Sequence, residues 1–279
     1  MIRLALSALA IVGGSLMEAP GGPQVLQDAD SDSLSILYLA NEGVLIEADG
    51  NRILLDGLHR PYQPMYSSLP ADVAMQLETA TAPFDAVDLL LVSHRHRDHV
   101  HPESVVRYLR ASPTTVLASS PQVVRETLAG ASGLAERTTA VLPPAGETIS
   151  RSFGDIEVEF LGLPHGGGRH RSVQNLGHVV SVAGRTVLHV GDAVIEPSTF
   201  RSLDLRSRDI DVALLPYWYL LDADGLRLVD EEIGAALVVA IHVPPDDVAE
   251  IENQIRQTLP EAIVFGRPLK SRVTLPAHS

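Results

Sequence analysis

Four side chains that can bind metal ions lie within six consecutive residues of the sequence. The segment Ser93-His94-Arg95-His96-Arg97-Asp98-His99 supplies three imidazoles and one carboxylate. Imidazole nitrogens and carboxylate oxygens are ligands that zinc accepts in proteins. The chain contains no cysteine, so a metal site here must be built from histidines and carboxylates. The alternative is a solvated polar loop in which histidines happen to cluster, which the spacing His-x-His-x-Asp-His after a strand disfavours.

The element before this segment is a predicted buried strand. Residues 86–92 (AVDLLLV) form a nearly continuous apolar run, as in strands that are covered on both faces. A strand end that leads into a loop lets alternate side chains converge on one point, whereas a continuous helix or strand could not direct all four ligands inward. Arg95 and Arg97 alternate with the ligands and are expected to point away from the metals.

The rest of the chain positions further candidates at the ends of predicted strands. Strands occur in clusters, with helices between the clusters rather than after each strand. This order favours an α+β (mixed α/β) fold of four αββα layers, two facing sheets with helices outside, over a doubly wound sheet. Hairpins are predicted over 148–163 and 176–190, a strand over 238–242 and a helix over 230–237.

The metal-binding segment resembles the signature of the metallo-β-lactamase superfamily, and the resemblance extends from about residue 35 to about residue 270. Leu163-Pro164-His165-Gly166, Val190-Gly191-Asp192-Ala193 and Ala240-Ile241-His242-Val243 match the later His, Gly-Asp and His positions of that superfamily. Leu55-Asp56-Gly57 resembles the segment whose aspartate braces the metal loop. The resemblance therefore implies a four-layer αββα metallo-β-lactamase sandwich.

The resemblance also implies a ligand set and a reaction. One metal is assigned to His94, His96 and His165, the other to Asp98, His99 and His242, with Asp192 bridging both. The expected ions are two Zn²⁺, with Mn²⁺ or Fe as alternatives. Metal coordination lowers the pKa of water from about 15.7 to about 7, and Asp98 would orient the metal-bridging hydroxide and take up its proton. The expected activity is hydrolysis of an ester, lactone or phosphodiester bond in a small-molecule substrate.

Several histidines leave the assignment open. His170 lies in the same glycine-rich loop as the third ligand and could replace it. His178 and His189 alternate with apolar residues in predicted strands, which favours packed core positions, although His189 could support the ligands from behind. Asp192 and His242 have alternative interpretations as a turn aspartate and a core histidine at a strand end. Residues 57–84 are a candidate lid, and its candidate substrate contacts are His59, Arg60 and Tyr62.

Within the superfamily, residues 175–192 resemble the branch that contains ascorbate-6-phosphate lactonase and N-acyl-phosphatidylethanolamine phospholipase D. Two departures, Ala193 after the Gly-Asp pair and Ser93 at the start of the motif, remove no ligand. The alternatives are β-lactam hydrolysis and a di-iron redox or oxygen-handling protein on the same fold. A non-catalytic scaffold would be expected to have lost ligands, and none is missing from the motif.

Charge and the N-terminal sequence suggest where the protein acts. The formal net charge of −14 argues against a nucleic-acid binder, which needs clustered Lys and Arg. Residues 1–19 have the features of a signal peptide, residues 20–33 of a linker, and residues 34–279 of the metallo-β-lactamase-fold domain. The apolar run Leu4–Leu16 is shorter than the roughly 20 residues that span a bilayer, although a buried N-terminal helix or strand is the alternative. We expect export to the periplasm or the medium, without stable membrane insertion after signal removal; the sequence leaves the oligomeric state open.

Overall fold

The computed structural model describes residues 33–276. The predicted signal peptide, residues 1–19, and all of the predicted linker except Ser33 lie outside the described residues. Among the described residues, no helix has both the length and the apolar character needed to cross a bilayer.

The described part of the chain forms two seven-stranded sheets. The first sheet contains β1 (Leu34–Ala40), β2 (Gly43–Ala48), β3 (Asn51–Leu55), β4 (Leu89–Val92), β5 (Val116–Ser119), β6 (Thr138–Ala140) and β14 (Arg272–Leu275) in the order β14-β1-β2-β3-β4-β5-β6. The second contains β7 (Thr148–Phe153), β8 (Ile156–Gly162), β9 (Leu176–Val182), β10 (Arg185–His189), β11 (Val212–Pro216), β12 (Leu237–Ile241) and β13 (Ile263–Val264) in the order β13-β12-β11-β10-β9-β8-β7.

The two sheets share one pairing pattern. In the first sheet the pairings from β14 to β3 are antiparallel and those from β3 to β6 are parallel. In the second sheet the pairings from β7 to β10 are antiparallel and those from β10 to β13 are parallel. The two predicted hairpins correspond to the pairs β7–β8 and β9–β10, so these predictions are confirmed.

Six α-helices accompany the sheets in the described residues. They are α1 (Ala71–Glu78), α2 (Pro102–Ala111), α3 (Pro121–Leu128), α4 (Pro197–Leu203), α5 (Ala223–Leu228) and α6 (Val248–Thr258). Helices α2, α3 and α4 each begin with proline at the first turn, where no intrahelical N–H donor is needed. Short 3₁₀ turns occur at Ser132–Arg137, Gly168–His170, Leu205–Arg208 and Tyr217–Leu220.

The helix predicted over 230–237 is wrong in its position. The helical stretch begins earlier with α5, continues as a π-helical turn over Val229–Ile233 and ends at Gly234, whose φ is 63°. Leu237 already belongs to β12 and pairs with Val212. The apolar side chain that seemed to continue a helical period is therefore part of a buried parallel strand.

Three apolar clusters produce four layers. Alternate residues of the strands, such as Leu89 and Leu91, face the other sheet and form the central cluster. Their neighbours Leu90 and Val92 pack with α1, α2 and α3 on the outside of the first sheet. Side chains of α4, α5 and α6 cover the outside of the second sheet in the same way. The predicted α+β, four-layer αββα sandwich is confirmed.

An ion-pair network fixes the segment that connects β3 to α1. Arg60 donates hydrogen bonds to both carboxylate oxygens of Glu78, at 2.9 and 3.0 Å. Arg107 of α2 donates to the same carboxylate at 2.7 Å, and the hydroxyl of Ser104 also donates to it. Burial alone would raise the pKa of Glu78, but these hydrogen bonds lower it to about 2. The ionised carboxylate therefore ties residues 57–70 to two helices.

This network predicts a pH-dependent stability. The pKa of Glu78 is about 2 in the folded protein and has an ordinary value of 4.5. The ionised carboxylate therefore stabilises the fold above about pH 4.5, and this contribution is lost as the pH falls towards about 2. We expect Glu78→Gln to lower the thermal midpoint at pH 7 and the difference from wild type to shrink below pH 4.5, as measured by circular dichroism.

Glu103→Gln is the matched control, because the Glu103 carboxylate is exposed and lies 3.9 Å from Arg107. It should change the midpoint little at any pH. A Glu78→Gln deficit that stays constant between pH 7 and pH 3 would contradict the assigned role of the carboxylate.

Candidate metal centre

The ends of four strands deliver the predicted ligands to one edge of the sandwich. The segment 94–99 follows β4, and the loop with His165 follows β8. Asp192 comes three residues after the end of β10, and His242 directly follows β12. All seven predicted ligands fall into two groups, each with side-chain ligand atoms close enough to surround a cation: His94, His96, His165 and Asp192, and Asp98, His99 and His242.

The first group surrounds Oδ2 of Asp192. This oxygen lies 3.4 Å from Nε2 of His165 and 3.7 Å from Nε2 of His94. Nδ1 of His96 is 2.9 Å from Nε2 of His94 and 3.2 Å from Nε2 of His165. Three imidazole nitrogens and one carboxylate oxygen therefore face a common point.

The second group surrounds Oδ1 of the same aspartate. Nε2 of His99 lies 3.5 Å and Nε2 of His242 lies 3.7 Å from Oδ1 of Asp192. Oδ2 of Asp98 lies 3.3 Å from Nε2 of His242 and 3.5 Å from Nε2 of His99. Each oxygen of Asp192 thus faces one of the two groups.

These donor sets fit two divalent cations. Ligands bonded at 2.0–2.1 Å in a tetrahedron are separated by about 3.3 Å, close to the spacings within both groups. Within the described residues, Nε2 of His99, Nε2 of His242 and Oδ1 of Asp192 are buried and have no hydrogen-bond partner. Buried polar atoms without partners are costly, so a cation that binds them removes a penalty.

The electrostatics of the centre require positive charge. Burial, followed by the nearby His99, lowers the pKa of His94 well below its ordinary value, so its imidazole is neutral as a ligand must be. Burial also lowers the pKa of His99, but the carboxylates of Asp192 and Asp98 outweigh this effect and raise it well above normal. Burial raises the pKa of Asp98, whereas His99 and His242 lower it well below its usual range. The buried carboxylates therefore attract the charge that a divalent ion carries.

Asp56, at the end of β3, braces the centre from behind, as the sequence predicted. Its Oδ1 accepts a hydrogen bond from the Ser93 N–H at 2.7 Å, and its Oδ2 lies 2.8 Å from Nδ1 of His99. The Ser93 hydroxyl also donates to Oδ2. A proton held on Nδ1 leaves Nε2 of His99 free for a metal. Although burial raises the pKa of Asp56, the hydrogen bond from His99 contributes most to lowering it to about 2.

Sequence reasoning missed Glu42, which lies beneath the centre in the turn between β1 and β2. Its Oε2 is 3.3 Å from Nε2 of His189 and 3.6 Å from Nδ1 of His99. The Gly191 N–H donates to Nδ1 of His189 at 3.1 Å, so the proton of neutral His189 sits on Nε2 and faces Glu42. Burial raises the pKa of Glu42 well above its ordinary value. His189 thus supports the loop of Asp192 from behind, one of the two roles left open for it.

Two asparagines were also missed. Nδ2 of Asn41 donates to the backbone oxygen of Asp98 at 3.1 Å and to its Oδ2 at 3.3 Å. Nδ2 of Asn175 donates to the carbonyls of Leu163 and Val190 at 3.0 and 3.1 Å, and its Oδ1 accepts the Asp192 N–H at 3.1 Å. Asn175 therefore joins the loops that carry two ligands. A polar residue in a turn or at a strand start gives no periodic signal by which to find it.

The backbone at His242 is in an uncommon conformation. Its φ is 59°, in the left-handed region that non-glycine residues rarely adopt. The His242 N–H donates to the carbonyl of Asn41 at 2.9 Å, which ties this conformation to the neighbouring sheet. Such strain is concentrated at functional sites, where the fold holds a side chain in a required direction.

The remaining candidates lie outside the two ligand groups. The ring of His170 stacks on that of His165 at 4.8 Å and 12°, so the structure brings His165 rather than His170 to Asp192. His178 is fully buried in β9 and faces His189 across the strand pair, in agreement with a core position. Arg95 points away from the centre and pairs with Glu126 at 2.7 Å.

The candidate lid residues have different roles. Nε2 of His59 lies 3.3 Å from the carbonyl of Ala40, and the Arg60 guanidinium is bound to Glu78. These two side chains therefore contact the protein itself. Tyr62 packs against the guanidinium of Arg97 at 5.5 Å and remains on the surface beside the centre.

Comparison with known proteins identifies relatives among metal-dependent hydrolases. A family model described as a beta-lactamase superfamily domain matches residues 35–242. A protein of Mycolicibacterium smegmatis named as a Rieske 2Fe-2S iron-sulfur protein is 29% identical over 211 residues, covering 72% of this chain and 38% of that one. The chain thus spans little more than a third of that relative. A UPF0173 metal-dependent hydrolase of Pyrococcus abyssi is 24% identical over 193 residues, covering 66% of this chain and 72% of that one.

Solved structures share the fold at low sequence identity. Igni18, a metallo hydrolase from Ignicoccus hospitalis, has a TM-score of 0.58 and 17% identity, covering 88% of this chain and 100% of that one. CmlA, a diiron beta-hydroxylase from Streptomyces venezuelae, has a TM-score of 0.56 and 18% identity, covering 89% of this chain and 55% of that one. At these identities the likeness shows the fold alone.

The bracing role of Asp56 predicts its effect on metal binding. Asp56→Asn keeps the shape of the side chain but weakens its hold on the Nδ1 proton of His99. Removing such a supporting partner costs about 10- to 100-fold in metal affinity. Chelator competition should show this loss in zinc affinity. Asp88→Asn, at the opposite end of β4, is the control, because Asp88 accepts a hydrogen bond from the Arg52 N–H at 2.9 Å far along the strand from Ser93. Equal zinc affinity in Asp56→Asn and Asp88→Asn would contradict the role.

Proposed function

The chain belongs to the beta-lactamase superfamily, and on that premise we propose that it is a metal-dependent hydrolase with a dinuclear zinc centre. Its proposed reaction is the cleavage of an ester, lactone or phosphodiester bond in a small molecule. His94, His96 and His165 would hold one ion, Asp98, His99 and His242 the other, and Asp192 both.

The position of the Asp192 carboxylate carries this proposal. Its two oxygens face different groups of imidazoles, Oδ2 towards His165 at 3.4 Å and Oδ1 towards His99 at 3.5 Å. A carboxylate that met a single cation, or that closed a turn, would not need buried imidazoles on both sides. The arrangement therefore supports two cations that share one ligand.

The chain's own residues prepare the centre for hydrolysis. Bound divalent ions lower the pKa of coordinated water to about 7 and thereby supply a nucleophile at neutral pH. Asp98 is held by Asn41 and stays ionised at neutral pH, because His99 and His242 keep its pKa low against the effect of burial. Its carboxylate can accept a hydrogen bond from the attacking water, orient it and take up its proton.

Two alternatives use the same ligands. A β-lactam is a cyclic amide that the same chemistry would open. An iron-containing centre is the other alternative, because CmlA shares the fold and is a diiron beta-hydroxylase. Imidazole and carboxylate ligands, including a carboxylate shared by two ions, bind iron as well as zinc. Measuring the metal content of the protein therefore separates this alternative from the proposal.

We also propose that the enzyme acts on a small molecule after export, on the basis of residues 1–19 and of the net charge of −14. This charge disfavours nucleic acids as substrates. The likeness of residues 175–192 to the lactonase and phospholipase D branch remains a prediction about the class of scissile bond.

Metal dependence and Asp98 together test the proposal. We expect purified protein to bind two equivalents of zinc and to hydrolyse at least one of 4-nitrophenyl acetate, a γ-lactone and bis(4-nitrophenyl) phosphate. A chelator should abolish turnover and zinc should restore it. Asp98→Asn should lower kcat by about 10²- to 10⁴-fold, the usual contribution of a general base, as measured by 4-nitrophenol release.

Asp88→Asn serves again as the control and should retain wild-type kcat. Stoichiometric iron with redox activity would favour the di-iron alternative. Hydrolysis of a β-lactam, with no turnover of the ester, lactone and phosphodiester probes, would favour β-lactam cleavage over the proposed reaction. Failure of zinc-loaded protein to turn over any of these probes would contradict the proposed reaction.

A further inference from the structure

A surface cavity of about 540 Å³ opens beside the metal centre. It lies between the segment that follows β3, the loop between β12 and α6, and the loop between β13 and β14. Its apolar and aromatic walls are formed by Pro61, Tyr62, Pro64, Tyr66, Pro245 and Pro268. This volume falls in the range of about 300–1,000 Å³ that is usual for small-molecule sites.

Tyr66 connects this cavity to the centre. Its ring meets the ring of His242 edge to face, with 5.5 Å between centroids and an angle of 84°. Pro245 lies three residues beyond His242, so the cavity and the ligand loop are continuous. The cavity therefore adjoins the second ligand group, because Tyr66 lines the one and contacts His242 of the other.

The walls of the cavity are held in place. Tyr62 stacks on Tyr66 with 6.0 Å between centroids and an angle of 6°. The Arg97 guanidinium lies 5.5 Å from the centre of the Tyr62 ring, which ties this segment to the metal-binding loop. The bond between Arg60 and Glu78 anchors the beginning of the same segment. The cavity is therefore preformed, and filling it would cost little ordering of the protein.

The chemistry of the lining selects the occupant. Among the described residues that line the cavity there is no Asp, Glu, Lys, Arg or His, and the polar groups are the side chains of Gln63, Ser67 and Ser68 and the hydroxyls of Tyr62 and Tyr66. No cation is among these lining residues, and the Arg97 guanidinium, which lies outside the lining, packs 5.5 Å from the centre of the Tyr62 ring. An alkyl or aryl group would bury its surface against proline and tyrosine rings.

We infer that this cavity binds an uncharged alkyl or aryl group of the substrate, while the bond to be cleaved lies at the metal centre. The inference rests on the proposed hydrolase function and narrows its substrates to compounds with a neutral apolar group beside the scissile bond. Tyr62 and Tyr66 are then specificity-determining residues.

A matched set of esters tests the inference. Zinc-loaded protein is assayed with 4-nitrophenyl acetate, butyrate and hemisuccinate; the last two have four-carbon chains that end in a methyl and a carboxylate. Burial of each added methylene should raise kcat/KM about fourfold, so butyrate should exceed acetate about fifteenfold. The kcat/KM for the hemisuccinate should be no higher than that for the acetate. A flat chain-length profile, or a preference for hemisuccinate, overturns the inference.

Two variants locate the effect. Tyr62→Ala removes a wall of the cavity and should reduce the advantage of butyrate to about threefold or less. Met65→Ala is the matched control, because Met65 belongs to the same segment, is 54% exposed and does not line the cavity. It should keep the full advantage. Loss of the advantage in Met65→Ala, or its retention in Tyr62→Ala, argues against this cavity.

A binding measurement separates this inference from the proposed function. Calorimetry with 3-phenylpropan-1-ol, a neutral compound that needs no turnover, should show binding to zinc-loaded wild type and Met65→Ala and at least tenfold weaker binding to Tyr62→Ala. Binding of the alcohol without turnover of any of the ester, lactone and phosphodiester probes would refute the proposed function and support the cavity. Hydrolysis of the probes, with neither binding of the alcohol nor an effect of chain length, would support the proposed function and refute the role of the cavity.

Discussion

The charge of buried carboxylates is the constraint on which this structure depends. Asp98 and Asp192 lie among imidazoles at a buried edge of the sandwich, and Asp56 and Glu42 lie directly behind them. Carboxylates removed from water need positive charge or hydrogen-bond donors. Asp56 has its donors in Ser93 and His99, and Asp98 has Asn41. Oδ1 of Asp192 has none among the described residues, so a cation bound there would account for its burial and for the direction of the surrounding nitrogens.

Both sheets are needed to build this centre. Asp98 and His99 follow a strand of the first sheet, whereas Asp192 and His242 follow strands of the second. The same pairing pattern in the two sheets places their parallel strands so that the carboxyl ends meet at one edge. The N–H of His242 bonds to the carbonyl of Asn41 in the first sheet, and Asn175 bonds to the carbonyls of two loops in the second. Metal binding would therefore also hold the two halves of the fold together.

The sequence predicted which candidate ligands lie together better than it predicted the residues around them, for physical reasons. His94 to His99 follow an apolar strand without interruption, so composition and position agree, and the resemblance extended the set to His165, Asp192 and His242. The four layers followed from the clustering of strands. Asn41 and Glu42 could not be found, because a polar pair between two strands is typical of any turn. The helix over 230–237 was misplaced because Leu237 suits a helical period and a buried strand equally well. His165 and His170 belong to the same glycine-rich loop, so the sequence allows either to reach the metal centre. The folded backbone shows that His165 is the one beside Asp192.

The candidate lid shows why charge in a sequence is a poor guide to substrate contacts in this protein. His59 and Arg60 are the side chains that a sequence suggests for binding a polar substrate, yet one lies against a backbone carbonyl and the other against Glu78. These internal contacts occupy both side chains and leave Tyr62 and Tyr66 to line the cavity. The residues that line the cavity carry no formal charge, and the metal centre, where the bond would be cleaved, lies beside them. In the proposed enzyme the metals would determine the reaction, and the proline and tyrosine rings of the cavity would determine which molecules reach it.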